Sequence, residues 1–455
     1  MQGGKGMNYD VIYKQIEEAL QDPEHPQRLF DYLQPLKPYD ISEILQRLEH
    51  QTILTLIPKL PIPIAAETLE YLEPEHQYRI IHHLDTKVAS PLLKQMSSDI
   101  VVDMLLAIHP LQAKRLLNLL PEDYREKINR LMTHPEDTAG SLMTVDYISA
   151  RAHWTGEQAL QHIRKVGHEA EIVSYIYVTN KRGELVGIVS LKEIILASPD
   201  TLLADITTTD VISVPSEMAQ EEVAEILSRY DLYALPVTDP KNRLLGIITI
   251  DDVLDVIQEE ATEDFQKLGG SQPLTEPYFK TSIWSLFSKR IIWLFILFIG
   301  GAYTANVLAH YQTEVDKVIV LSFFIPLLIG TGGNTGSQIV STLVRALGVG
   351  EVKFEDIFRV IRKELSTGLL LGLCLGIVAY FRAIFMNVEM NIGWVVGVSA
   401  LFIVLWATLV AAVLPLILHR LHVDPAVVSG PLITTLVDGT GLIIYFSIAK
   451  MILHI

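Results

Sequence analysis

The sequence predicts a multidomain chain: an α-helical solenoid, a tandem pair of small α/β modules, an acidic connecting helix and a five-helix transmembrane domain. Three observations carry this. Apolar positions near the N-terminus recur at one fixed interval, a strand-turn-strand-helix pattern occurs twice in the middle, and five long apolar stretches fill the C-terminal part. The corresponding domains are residues 1–137, 138–199, 200–262, 263–285 and 286–455.

From about Tyr9 to Thr133 the pattern is helical with short polar or proline-containing turns. Leu45, Leu69, Leu93 and Leu117 are evenly spaced, and the same interval separates Leu48, Leu72, Met96 and Leu120, then Leu60, Leu84, Ile108 and Met132. Ile41, Ala65, Ala89 and Ala113 open each unit with a branched or small residue. Accidental leucine spacing would rarely persist through four registers, so the segment reads as stacked helix pairs, each burying its face on the next.

In the second repeat, Tyr177-Val178-Thr179-Asn180 and Gly187 to Glu193 return as Pro236-Val237-Thr238-Asp239 and Gly246 to Asp252. Turns at Asn180–Gly183 and Asp239–Asn242 separate the strands, and helical segments at Glu157–Val166 and Ala219–Arg229 precede them. Two such units in tandem resemble a pair of CBS modules, with Thr249 and Asp252 matching the family's pattern and Glu193 standing where the first copy would carry Asp.

From Asp251 a long helix runs toward Gly269-Gly270, and between Arg243 and Lys267 it carries seven acids and no base. Asp252, Asp255, Glu259 and Glu263 form one stripe, with Glu260 and Asp264 alongside. Like charges at that spacing destabilise a helix unless cations lie between them, and a merely solvated face normally interleaves Lys and Arg. The stripe is therefore expected to sense divalent cations. Asp99 and Asp103, an i,i+4 pair in the solenoid, and Asp231 in the second module are further acids for facing surfaces.

The apolar stretches near 291–309, 318–343, 365–385, 393–418 and 428–453 each meet the length of about 20 residues that a bilayer requires. Lys289, Arg290, Arg345, Lys353, Arg359, Arg362, Lys363 and Arg420 fall on one set of connections. By the positive-inside rule the N-terminal domains are cytoplasmic and the C-terminus is outside, as in a multi-pass protein of the cell (inner) membrane. Trp284, Trp293 and Tyr311 suit interfacial anchoring or ordinary packing. Residues 1–10 carry no apolar signal-peptide core, consistent with a cytoplasmic N-terminal region.

Composition narrows the function. The net charge is −17, and the whole acidic excess lies ahead of Lys289, in the part that reads as soluble. Such a surface repels nucleic acid and concentrates cations. One cysteine, Cys374, excludes an intrachain disulfide framework and a cysteine-based metal site. No nucleophile-base pair and no phosphate-cradling loop ahead of a helix is recognisable in the soluble part, so an enzyme is not expected.

Inside the membrane part, Asp438 stands first, because a carboxylate at mid-span costs about 3 kcal/mol on insertion scales. Thr434 and Thr435 lie at i−4 and i−3 on its helix face, and Gly439 and Gly441 leave room beside it. An anionic centre ringed by neutral oxygens suits a hard cation; the competing reading is a protonated or ion-paired structural Asp. The stretch Gly330-Thr331-Gly332-Gly333-Asn334-Thr335-Gly336-Ser337-Gln338 lies in another span. Its Gly332–Gly336 pair fits close helix packing, while Asn334, Thr335, Ser337 and Gln338 offer oxygens for an ion's water shell. Pro326 is expected to break or bend this span. One carboxylate with several neutral oxygens fits hydrated Mg2+ better than Ca2+, which takes six to eight direct ligands. Mn2+, Co2+ and Ni2+ stay open.

These residues resemble the MgtE family of magnesium channels and transporters over essentially the whole chain. The resemblance rests on the Pro326 to Gln338 signature, on Thr434-Thr435-Leu436-Val437-Asp438-Gly439-Thr440-Gly441, on Glu260 to Asp264 and on the order of domains. Position 337 is Ser where some relatives have Asn. The resemblance implies a homodimer in the lipid bilayer with a pore between two five-helix domains, Asp438 binding hydrated Mg2+ at its centre. It also implies Mg2+ between the solenoid, the CBS pair and the connecting, plug-like helix locking a closed state. Its pore set is Gly330, Gly333, Asn334, Thr434 and Asp438. Its sensor set is Asp99, Asp103, Asp231, Asp252, Asp255, Glu260, Glu263 and Asp264. Two alternatives remain: a divalent-cation exchanger coupled to Na+ or H+ with Asp438 as proton site, and a membrane protein sensing adenine nucleotide, with Thr249 and Asp252 on the ribose. Nucleotide is also compatible with a second regulatory role.

Overall fold

Helices begin at Pro38, Ile62, Thr86 and Pro110, and a second row begins at His50, Pro74, Ser98 and Glu122, so both rows advance by the interval of the apolar repeat. The computed structural model describes residues 35–455 except 169, 275–277 and 422, and before residue 35 only positions 14, 16, 18, 19, 32 and 33. The expected helical start near Tyr9 lies outside the described residues. In chain order the helices are α1 Pro38–Leu45, α2 His50–Leu56, α3 Ile62–Glu70, α4 Pro74–His83, α5 Thr86–Gln95, α6 Ser98–Ala107, α7 Pro110–Leu117 and α8 Glu122–Leu131. Packing runs along each row, α1 on α3, α3 on α5, α4 on α6 and α6 on α8, while α7 lies on α6. Leu45, Leu69 and Leu93 are all buried there, as are Ile41, Ala65, Ala89 and Ala113. Proline in the first turn of α1, α3, α4 and α7 starts helices where the missing N–H costs nothing.

The two modules repeat one another. After α9 Ala139–Leu142, the first has β1 Ser149–Arg151, α10 Gly156–Val166, β2 Tyr175–Thr179, β3 Leu185–Ser190 and α11 Leu191–Leu196. After α12 Leu203–Ile206, the second has β4 Val214–Pro215, α13 Gln220–Arg229, β5 Ala234–Thr238, β6 Leu244–Thr249 and α14 Ile250–Leu268. In each three-stranded sheet the first strand is parallel to the second and the last two form a hairpin. The hairpin turns close in the same way: Asn180 Oδ1 accepts from Arg182 and Glu184 N–H, and Asp239 Oδ1 from Lys241 and Arg243 N–H. The hairpins also bond to each other, Leu185 N–H to Asn242 O at 2.8 Å and Leu244 N–H to Gly183 O at 3.1 Å. One apolar core runs from the solenoid into the second module and takes in Val253 and Val256 of α14.

The chain divides into two compact units, Met1–Val256 and Ile257–Ile455, with the α14 residues shared between them. The expected helix over 263–285 is corrected: α14 ends at Leu268, Gly269 and Gly270 turn the chain, and helix resumes at Ile283. Gly270 sits at φ 73°, which a side chain resists, so the break is written in these glycines.

Among its described residues the second unit has five helices long and apolar enough to cross a membrane: α15 Ile283–His310, then, after the short α16 Gln312–Lys317 and a 3-10 turn at Ile319–Phe324, α17 Ile325–Gly348, α18 Ile357–Phe385, α19 Met390–Arg420 and α20 Gly430–Leu453. The central α19 packs on α17, α18 and α20. Pro326 falls in the first turn of α17, where a proline is tolerated, so the expected break at Pro326 is a 3-10 to α junction and Gly330–Gln338 is regular helix.

Candidate functional site

The glycines of α17 are contact points. A Cβ on Gly332 would meet Ile403 and Val437 at 2.6 and 2.7 Å, one on Gly336 would meet Ile433 at 2.4 Å, and one on Gly333 would meet Thr434 at 2.7 Å. Only hydrogen fits, so α17 closes onto α19 and α20 along that side. The opposite face is polar: Asn334 and Gln338 are exposed and Thr331 half-buried. Gly330 has open space where a side chain would stand. At the α17–α20 seam Ser337 Oγ lies 3.3 Å from Thr434 Oγ1 and donates to Gly430 O at 3.2 Å.

Asp438 sits on α20 about 12 Å from the helix start, taking about 1.5 Å per residue. It is half-buried, and among the described residues its carboxylate has no hydrogen-bond or ion-pair partner. The ion-paired structural reading is thus removed within the described chain. Thr434 and Thr435 donate to Gly430 O and Pro431 O at 3.0 and 2.9 Å, which spends their hydrogens and leaves hydroxyl lone pairs for a cation's water shell. Gly439 admits Tyr303 of α15, to which a Cβ would come within 2.5 Å. Of the interfacial candidates, Trp293 donates to Ser429 Oγ at 3.2 Å and Tyr311 stacks on Phe446 at 4.8 Å, while Trp284 stays exposed.

The sensor acids fall into separate groups. In the first unit Asp99 on α6 and Asp252 on α14 face one another, joined by three acids that the sequence left unmarked: Glu70, Asp146 and Glu171. Ser97 organises them. Its N–H donates to Glu70 Oε1 at 2.7 Å, and its hydroxyl lies 2.7 Å from Asp99 Oδ1 and 2.8 Å from Glu171 Oε2. One hydroxyl has one hydrogen, so the two carboxyls share or compete for it. Burial pushes Glu70 up to about 7 and Asp252 up to about 7, the neighbouring acids adding to it, and raises Glu171. Asp99, buried and facing Asp252, rises well above the usual range. Glu70, Asp146 and Glu171 border a cavity of about 560 Å3. As they stand, no three acids or histidines among the described residues are gathered into a ready metal site.

Asp255 is exposed, yet its charge and that of Asp251 act on Tyr71 of the solenoid. Asp103 is exposed on α6, and Asp231 is exposed at φ 51° beyond α13. Glu260 is half-buried in the second half of α14. Thr249 donates to Asp252 Oδ2 at 2.6 Å, and Ser190 donates to Glu193 at 2.8 Å, so both copies close the same contact at a helix start.

Glu263 and Asp264 lie in the second unit. Lys267 pairs with both Glu263 and Asp424, the latter at 2.6 Å, and Asp424 also caps the turn before α20 by accepting from Ala426 N–H. Burial would lower the Lys267 pKa, but its bonds to Asp424 and Glu263 outweigh this and raise it. Asp264 is raised, first by burial and then by Asp424. The base that ends the acidic stripe therefore ties it to Asp424, a contact that the stripe itself did not reveal.

Family profiles match this arrangement: the MgtE intracellular N domain over residues 36–137, CBS domains over 139–200 and 203–259, and MgtE, a divalent cation transporter, over 325–448. The magnesium transporter MgtE of Thermus thermophilus is 39% identical over 96% of this chain and 98% of its own. The chain belongs to the MgtE family. The Bacillus subtilis magnesium transporter MgtE is 30% identical over 99% of both chains. Among solved structures, the soluble part of a magnesium transporter superposes with a TM-score of 0.52 at 30% identity, covering 56% of this chain and all of that one. The cytosolic domain of the Mg2+ channel MgtE in complex with ATP superposes at 0.50 and 35% identity, covering 54% and 99%.

Proposed function

We propose that this MgtE protein conducts Mg2+ into the cell through a pore lined by α17 and α20, and that cytosolic Mg2+ closes it. The observation that carries the reading is Asp438, an unpartnered carboxylate among the described residues of a membrane-spanning helix, beside threonine oxygens and the polar face of α17. One acid per chain matches hydrated Mg2+ best when two copies meet on a pore axis. The working form is thus a homodimer in the cell membrane, with everything ahead of Lys289 cytoplasmic and the C-terminus outside. Asp438, Thr434, Gly330, Gly333 and Asn334 form the pore set.

Closure uses the acids. Glu70, Asp99, Glu171 and Asp252 repel one another when ionised, and Mg2+ relieves this, drawing the solenoid and the start of α14 together. Asp103, Asp231, Asp255, Glu260, Glu263 and Asp264 extend the same sensor set. A ligand shifts gating only by its difference in affinity between states, so several modest sites act together.

Flux into proteoliposomes with Mg2+ set independently on each side tests both parts. Asp438→Ala is expected to lose flux, and wild-type flux to stop when Mg2+ on the cytoplasmic face reaches the millimolar range; undiminished flux in Asp438→Ala would move the pore elsewhere. Flux that follows a Na+ or H+ gradient would favour an exchanger. Adenine nucleotide enters as a second regulator, a reading supported by a relative's cytosolic domain solved with ATP, with Thr249 and Asp252 as its proposed ribose contacts.

A further inference from the structure

We propose that the solenoid carries a second kind of metal site, for a borderline divalent ion such as Zn2+, held by His50 and His83. His50 opens α2 and His83 closes α4, neighbouring helices of the same row. Their rings lie 4.9 Å apart between centroids at 82°. Two imidazoles sharing one zinc at about 2.0–2.1 Å and a near-tetrahedral angle hold their centroids about 5 Å apart.

The donor atoms are available. His83 Nδ1 lies 2.7 Å from Arg79 O, and a carbonyl only accepts, so Nδ1 carries the hydrogen and the lone pair of the neutral ring is on Nε2. That bond also fixes the ring, as outer-shell partners of metal-bound histidines do. Among the described residues, His50 Nε2 is buried with no hydrogen-bond partner, an unexplained polar atom whose cost a metal bond would remove. Rotation of the His50 ring about χ2 is the movement that aims both Nε2 atoms at a shared ion. Water fills the remaining positions: His82 packs edge-on against the His83 ring at 5.2 Å, and the described residues gather no group of three donors there.

The site is chemically unlike the rest of the chain. Mg2+ takes oxygen ligands, whereas imidazole selects Zn2+, Ni2+ and Cu2+. It would thus report ions that the oxygen-lined pore and acid cluster are not built to distinguish.

The test is calorimetric titration of tag-free, full-length protein with Zn2+ in saturating Mg2+, which occupies the carboxylates. His50→Gln, His83→Gln and the double variant are each expected to weaken one Zn2+ equivalent by at least about tenfold, the loss that even an outer-shell partner can bring. The double variant should lose no more than either single one, because the site is shared. Unchanged titrations, or losses that add, overturn the proposal. So do variants that unfold earlier in chelator while binding Zn2+ as wild type does, which would mean an aromatic pair only. Cu2+ electron paramagnetic resonance on the wild type needs no variant: a pattern of two imidazole nitrogens supports the site, and oxygen-only coordination overturns it.

Discussion

Ser97 sits among three carboxyls, bonding Glu70 through its N–H and Asp99 and Glu171 through its hydroxyl. Replacing it in Ser97→Ala removes two of the hydrogen bonds and should cost about 1–2 kcal/mol in thermal unfolding without Mg2+. The raised carboxyls also fix a pH dependence. Glu70 and Asp252 hold protons up to about 7, while the unfolded chain releases them at about pH 4. The folded state binds more protons across that window, so the stability that protonation gives is full below about pH 4 and is lost as pH rises through about 7. Without metal, the melting temperature should be lower at about pH 8 than at about pH 5; Mg2+ should close that gap, and its affinity should fall as protons compete at low pH. A metal-free melting temperature that rises over this range would show that the cluster ionises freely.

At the scale of helices, the α17–α20 contact depends on missing side chains. Gly336→Ala drives a methyl into Ile433 and should cost about 1–3 kcal/mol, read from thermal unfolding in detergent. Helix identity was legible because repeated apolar spacing directly encodes a buried face, and the even step located both rows of the solenoid. Asp99 and Asp252 were legible as acids worth marking from charge pattern. Glu70, Asp146 and Glu171 were not, because an isolated acid on a solvated helix reads the same as one turned into a cavity; only the fold removes its water. Lys267 was missed for a related reason, its partner Asp424 lying 157 positions away in the chain. Lys267→Met leaves Glu263 and Asp424 without that base, so amide hydrogen exchange over residues 263–268 should quicken, more so at low salt.

Over the whole molecule, α14 carries acids into both compact units, so its ionic surroundings bear on each. Added Mg2+ should slow tryptic cleavage ahead of Lys289 in the intact protein, and an equal ionic strength of Na+ should not, because screening alone does not bridge carboxylates. Equal protection by Na+ would reduce the acid stripe to a solvated face.

The even step of the solenoid has an engineering consequence. Because α3 and α5 begin one full unit apart, at Ile62 and Thr86, cutting out residues 62–85 rejoins helix starts, turns and apolar positions in phase. From Thr86 onward, Asp99 included, the chain then packs on α1 and α2 in place of α3 and α4, but Glu70 is gone, and the residue one unit earlier, Gln46, inherits its tread on the staircase. A neutral amide then stands where a carboxyl stood. The repeat thus lets a whole step be removed as cleanly as a single charge, and the shortened stair should still climb while holding its cation less firmly.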